Sequence, residues 1–307
     1  MKSSAWIFPG QGAQKVGMGI DIFDQTDLGK EYFSKAQEIM DCDIQSIIFN
    51  GPDEELKKTE FTQPAIYIIS VILGELLISK GHSPQAVAGH SLGEYSALTL
   101  AGGIDFVNGL KIVKLRSKSM AKSGKICKGT MAAIIGLNDN EVKTICDSYK
   151  GNGVINPANY NSLSQVVISG STDAVYWAME KAKNSGAKIA KELNVSGAFH
   201  SKLMSAATEE LAEAIKSLEI ENLNCPLFSN VDAKPKTEGT EIKKMLIKQI
   251  ESPVLWSQSI ISMRNTGVST FLEVGPGRVL SGLNKRIDRT IECFNIENMI
   301  QLEEFSV

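Results

Sequence analysis

The sequence predicts an α/β protein with a mainly parallel sheet and one small inserted unit, and three observations carry that expectation. Short apolar runs rich in β-formers alternate with longer segments of helical period, the rhythm of strands joined by crossover helices. The chain is 307 residues long. Single cores stop growing near ~250–300 residues, so one large domain carrying an insertion is expected. Between Lys125 and Leu193 the rhythm changes to β-α-β-β-α-β, the ferredoxin-like order. The expected division is 1–125 with 195–307 for the large unit, and 126–194 for the insertion.

The elements follow in order. Ala5 to Phe8 is apolar and bulky and reads as the first strand, closed by the glycine-rich turn Pro9-Gly10-Gln11-Gly12. Leu28 to Met40 and Pro64 to Lys80 have helical spacing; the second contains the most apolar stretch, Ala65 to Ile78, which is shorter than the ~20 residues of a membrane span and reads as a buried helix. Gln85 to Gly89 is a short strand, and Leu92 to Leu100 is helical. Asp105 caps a further helix to about Lys122. In the insertion, strands are expected at Met131 to Leu137, Val154 to Pro157, Val166 to Ser169 and Lys188 to Leu193, with helices at Asp139 to Tyr149 and Thr172 to Lys183. Beyond it come helices at Ser201 to Leu218, Thr240 to Ile250 and Ser257 to Asn265, and strands at Leu227 to Asn230 and Thr270 to Val274.

Composition narrows the function. With 32 Lys+Arg against 35 Asp+Glu the net charge is -3, a poor balance for a nucleic-acid partner. The five cysteines (Cys42, Cys127, Cys146, Cys225, Cys293) are scattered and form no C-x-x-C pair, which argues against disulfides and a zinc site and for the cytoplasm. Met1-Lys2-Ser3-Ser4 leads straight into the first apolar run, unlike a signal peptide. Histidine and arginine are scarce: His82, His90 and His200 are the three histidines, and Arg116 is the first arginine of the chain, with none following until Arg264.

Gly89-His90-Ser91-Leu92-Gly93 matches G-x-S-x-G between an expected strand and an expected helix. That setting is the nucleophile elbow of hydrolase-like α/β sheets, where flanking glycines allow a turn that pushes the serine hydroxyl outward; an ordinary glycine-flanked turn is the alternative. Serine needs a base. His90 adjoins Ser91 and should point away from it, and His82 lies in a solvated loop, which leaves His200, in a loop before a helix. The Leu92 amide supplies one oxyanion donor, and the Gln11 amide of the first glycine-rich turn can supply another. That turn lacks the spacing of a phosphate-binding loop. Arg116, in a helix whose other cations are lysines, offers the guanidinium fork that holds a carboxylate; a surface ion pair is the alternative.

Taken in order, Phe8-Pro9-Gly10-Gln11-Gly12, Gly89-His90-Ser91-Leu92-Gly93-Glu94, Leu115-Arg116, Phe199-His200-Ser201 and Gln249 before Pro253-Val254 resemble the motifs of the malonyl-CoA:acyl carrier protein transacylase family, over essentially the whole chain. The resemblance implies Ser91 as nucleophile and His200 as its base. The Gln249 carbonyl would orient the histidine, Gln11 and Leu92 would be oxyanion donors, Arg116 would hold the malonyl carboxylate, and Phe199 would shape the acyl pocket. It further implies malonyl-CoA and the phosphopantetheine thiol of a holo acyl carrier protein as substrates, with no bound cofactor or metal, in a cytoplasmic monomer. Phe61-Thr62-Gln63-Pro64-Ala65 looks closer to free-standing acyltransferases serving modular polyketide synthases, whereas Asn161 to Gln165 and Gly197-Ala198 depart from the commonest pattern. A serine hydrolase and a non-catalytic carrier-binding module are the competing readings.

Overall fold

The computed structural model describes residues 4–305. Its ten strands are β1 (Ser4–Phe8), β2 (Ala86–Gly89), β3 (Gly129–Ile135), β4 (Ile155–Ser162), β5 (Gln165–Ser171), β6 (Ile189–Glu192), β7 (Leu227–Phe228), β8 (Pro235–Lys236), β9 (Thr270–Val274) and β10 (Glu292–Ile296). They form two sheets. One is six-stranded in the order β10-β9-β1-β2-β7-β8, parallel except for the β7–β8 pair. The other is antiparallel, in the order β4-β5-β3-β6, with the helices Asp139–Asp147 and Thr172–Asn184 between its strands. The expected α/β class with a mainly parallel sheet is therefore present.

β1 is central to the first sheet, and its side chains explain its unbroken apolar run. Trp6 and Phe8 pack into one core cluster and Ala5 and Ile7 into another, so alternate residues serve opposite, equally buried faces. A third cluster fills the second sheet and its two helices. β1 and β2 run parallel with Phe8 opposite Gly89, so the turn after β1 and the turn after β2 emerge side by side. His90 N–H bonds Phe8 O at 3.0 Å, extending that pairing into the turn. The crevice at the carboxyl ends of parallel strands is where such sheets place their sites.

Several elements differ from expectation. The helix expected from Pro64 runs Thr59–Ser79, so Pro64 lies inside it. Pro64 has no N–H to give to the Glu60 carbonyl, and the Ser117 hydroxyl donates to that carbonyl instead, at 3.4 Å. This helix is long and apolar enough to cross a membrane, but 78% of its most apolar window is buried inside the protein. β3 starts and ends two residues earlier than expected, paired to β5 from Gly129 to Ile135. The segment from Ser201 opens as a single 3₁₀ turn, Lys202–Met204, before the α-helix Ser205–Ser217. The helix carrying Arg116 continues to Ile126, with its Asp105 cap as expected, the carboxylate accepting from Asn108 N–H at 2.8 Å.

Candidate active site

Of the residues singled out above, Gln11, Ser91, Leu92, Arg116, Phe199 and His200 line one cavity of about 120 Å³, and Gln249 and His82 do not. Ser91 occupies a sharp turn between β2 and the helix Gly93–Leu100, with φ at 52°. Left-handed backbone is strained for a non-glycine residue and tends to persist only where its surroundings enforce it. The flanking glycines are required by contact: a Cβ on Gly89 would lie 1.8 Å from Gly93 C, and one on Gly93 would lie 2.1 Å from Phe8 O. The helix therefore starts directly against β1. Leu92 and Gln11 both line the cavity, and among the described residues neither backbone N–H has a hydrogen-bond partner. Free N–H groups beside a serine hydroxyl are the kind of donor an oxyanion takes.

His200 Nε2 lies 2.8 Å from Ser91 Oγ. Its Nδ1 is 3.0 Å from both the Gln249 and the Ser252 carbonyl oxygens. Carbonyls only accept, so Nδ1 carries the proton and Nε2 presents a lone pair to the serine. Burial foremost, and then the charge of Arg116, lower the His200 pKa to about 3, so the ring is neutral. The Gln249 carbonyl is thus one of two acceptors for Nδ1; the other, Ser252, three residues further along the chain, carries no mark in the sequence. His90 does not approach Ser91 Oγ, but its ring borders the cavity instead of turning from it, bonding Asn161 Oδ1 at 2.8 Å and packing on Trp256. The His82 ring packs against Phe305 rather than standing free in solvent.

Arg116 is 1% exposed, which removes the surface ion pair as its role. One terminal nitrogen donates to Gln63 Oε1; the other donates to Gln249 Oε1 and to Ser91 Oγ, each at 3.0 Å. Nε has no partner. Tyr95 lies under the guanidinium, 5.4 Å from ring centroid to Cζ. Every hydrogen-bond partner is a neutral oxygen, so a buried cation beside the serine lacks a contacting anion. The buried Glu94 carboxyl acts on it through space, without a direct hydrogen bond. Gln63, Asn230 and Glu94 also belong to the site, and sequence reasoning gave them no role. Glu94 does fall within the motif quoted for the elbow.

Among the described residues no group of three or more His, Cys, Asp or Glu side chains is placed to hold a metal, and all five cysteines are free. A neutral histidine on a strained serine at the carboxyl end of a parallel sheet defines an α/β enzyme of the serine acyl-transfer class, hydrolases included. Residues 5–294 match the family described as acyl transferase domain. The malonyl CoA-acyl carrier protein transacylase of Bacillus subtilis is 40% identical over 304 residues, covering 99% of this chain and 96% of its own. That of Escherichia coli is 41% identical over 292 residues, covering 95% and 94%. Among solved structures, the same enzyme from Coxiella burnetii aligns with a TM-score of 0.95 at 38% identity, covering 99% of this chain and 96% of that one. A malonyl-transacylase in complex with its type II PKS acyl-carrier protein aligns at 0.94 and 37%, covering 98% of each chain. The chain belongs to the malonyl-CoA:acyl carrier protein transacylase family.

Proposed function

We propose that this enzyme transfers a malonyl group from malonyl-CoA to the phosphopantetheine thiol of an acyl carrier protein, for fatty-acid or polyketide synthesis. The observation that carries the substrate is Arg116: a buried cation with neutral partners, within 3.0 Å of the serine hydroxyl. An acyl group bearing a carboxylate a short reach from its carbonyl satisfies it, and an acetyl group does not.

Ser91 Oγ attacks the thioester carbonyl carbon while His200 Nε2 takes its proton. The oxyanion forms against the Gln11 and Leu92 amides. Collapse breaks the C–S bond, and the departing thiolate of coenzyme A receives the proton from His200. The malonyl-serine is then attacked by the carrier thiol, whose proton passes through His200 back to Ser91 Oγ. Phe199, 6% exposed, walls the acyl side of the cavity. Two substrates share one site in turn, so the kinetics are ping-pong.

The strand order of the second sheet, with its two helices, supports reading 126–194 as a ferredoxin-like subdomain inserted in a hydrolase-like one formed by 1–125 and 195–307. Five free thiols support a cytoplasmic enzyme, which we take to act as a monomer. Intact-mass measurement after malonyl-CoA tests the reaction. A malonyl adduct on Ser91 that moves to holo carrier protein is expected; an adduct lost to water equally fast without carrier would make the protein a hydrolase.

A further inference from the structure

The strained serine is held by its main chain at both ends. Ser91 N–H donates to Asn230 Oδ1 at 2.8 Å, and Ser91 C=O accepts from Gln249 Nε2 at 2.9 Å. The two amides can only be oriented this way. Asn230 Nδ2 faces Gly89 O at 2.7 Å, and Gln249 Oε1 faces the donor-only Arg116. Both residues then converge on one carboxyl group. Gln249 Nε2 also donates to Glu94 Oε2, and Asn230 N–H donates to Glu94 Oε1 at 3.4 Å. Glu94 is 1% exposed and does not border the cavity, so it touches neither substrate nor Ser91 Oγ. A buried carboxyl is costly to keep, and no step of the reaction above employs it.

We propose that Glu94 is a positioning residue: its carboxylate anchors Asn230 and Gln249, the two side chains that keep Ser91 in its strained conformation, and through Gln249 it steadies Arg116 and the carbonyl facing His200. The charged form is the working one. Both carboxyl oxygens face N–H donors, so a proton on either would point at a donor and release one clamp. The groups that face Glu94 are Ser229 and Asn230 after β7, Gln249 from the helix Gly239–Gln249, Arg116 from Phe106–Ile126 and Tyr95 from its own helix. Arg116 is the charged member. Tyr95 titrates at about 12, outside the range of interest. Burial raises Glu94 to about 7, with the bonds from Gln249, Asn230 and Ser229 and the charge of Arg116 opposing the rise. As pH falls through that value the clamp is lost, whereas His200, at about 3, stays neutral.

This inference rests on acylation of Ser91, and the test separates the two. The rate of malonyl-Ser91 formation is followed by quenched-flow intact mass between about pH 5.5 and 9 for the wild type, Glu94→Gln and Glu94→Asp. Glutamine keeps the size of the side chain but offers one acceptor oxygen where two are used. Glu94→Gln should acylate about ten- to hundredfold more slowly at pH 8, with half-saturation by malonyl-CoA changed by less than about threefold. Its rate should be flat where the wild type declines on the acid side of neutrality. Glu94→Asp, which restores the charge, should recover part of the rate. A folded Glu94→Gln protein with the wild-type rate and the wild-type acid decline overturns the proposal. Should that variant not fold, the wild-type profile decides: a one-proton decline near neutrality supports the proposal, and a flat profile overturns it. A wild type that never acquires the adduct overturns the transferase reading instead.

Discussion

Replacing Arg116 by alanine should change the substrate choice of the enzyme far more than its ability to acylate. On the proposed reading the malonyl carboxylate enters the cavity beside a guanidinium whose hydrogen-bond partners are all neutral. Without the cation, that carboxylate is buried unpaired. Breaking a buried ion pair from one side costs about 3–5 kcal/mol, which is roughly two to four orders of magnitude in kcat/KM. Acetyl transfer keeps the Ser91–His200 hydrogen bond but loses the donation from Arg116 to Ser91 Oγ, and Gln63 Oε1 and Gln249 Oε1 lose the same donor. It should fall by about tenfold, well short of the malonyl loss. The assay is acyl-Ser91 formation from malonyl-CoA and acetyl-CoA in parallel, with thermal midpoints to establish folding. Arg116→Lys, a point charge without the planar fork, should recover only part of the malonyl rate. Equal losses for the two thioesters would refute the reasoning.

Gln63→Glu would give Arg116 an internal carboxylate where a neutral oxygen now sits, and malonyl kcat/KM should fall at least about tenfold while acetyl transfer is spared. Parallel kinetics with the two thioesters check this. Gly93→Ala would force a Cβ to within 2.1 Å of Phe8 O and should destabilise the protein by about 2 kcal/mol or more, read as a drop in thermal midpoint with the elbow disrupted. The buried, neutral His200 has a depressed pKa, so its contribution to stability is complete above its unfolded value near ~6.5 and declines as pH falls toward 3. Glu94 has the opposite sign: its raised pKa contributes most below ~4.5 and loses that contribution as pH rises through about 7. Thermal midpoints of His200→Gln should therefore fall less on acidification from about pH 6.5 than those of the wild type.

What could be read from the sequence was whatever is written in neighbouring residues. The strand–glycine–serine–glycine–helix order announces the elbow because the crowding at Gly89 and Gly93 is itself local. His200 emerged because so few histidines exist, and Arg116 because it stands alone among lysines. Asn230, Ser252 and Gln63 carried no such mark. Each acts through a single amide or carbonyl that only the folded chain brings near Ser91, His200 or Arg116. Pro64 misplaced a helix start for the same reason, since the hydroxyl that covers the freed carbonyl comes from Ser117, on another helix. The C-terminal elements Val279–Ile287 and β10 escaped notice; β10 is an edge strand whose residues alternate between exposed and partly buried, giving only a faint apolar signal.

His200 is oriented by two carbonyl oxygens rather than by a carboxylate. Among the described residues an imidazolium formed there has no hydrogen-bonded carboxylate, and Arg116 is a neighbour. Such a base grips a proton weakly. In the second half-reaction that is sufficient, because a thiol nucleophile with a pKa near ~8.5 asks little of its proton partner. Water asks a great deal more, having to be stripped of a proton to become competitive. On the proposed mechanism, omitting the third, acidic member would bias the acyl-serine toward transfer to a thiol and away from hydrolysis, conserving the thioester energy in the product.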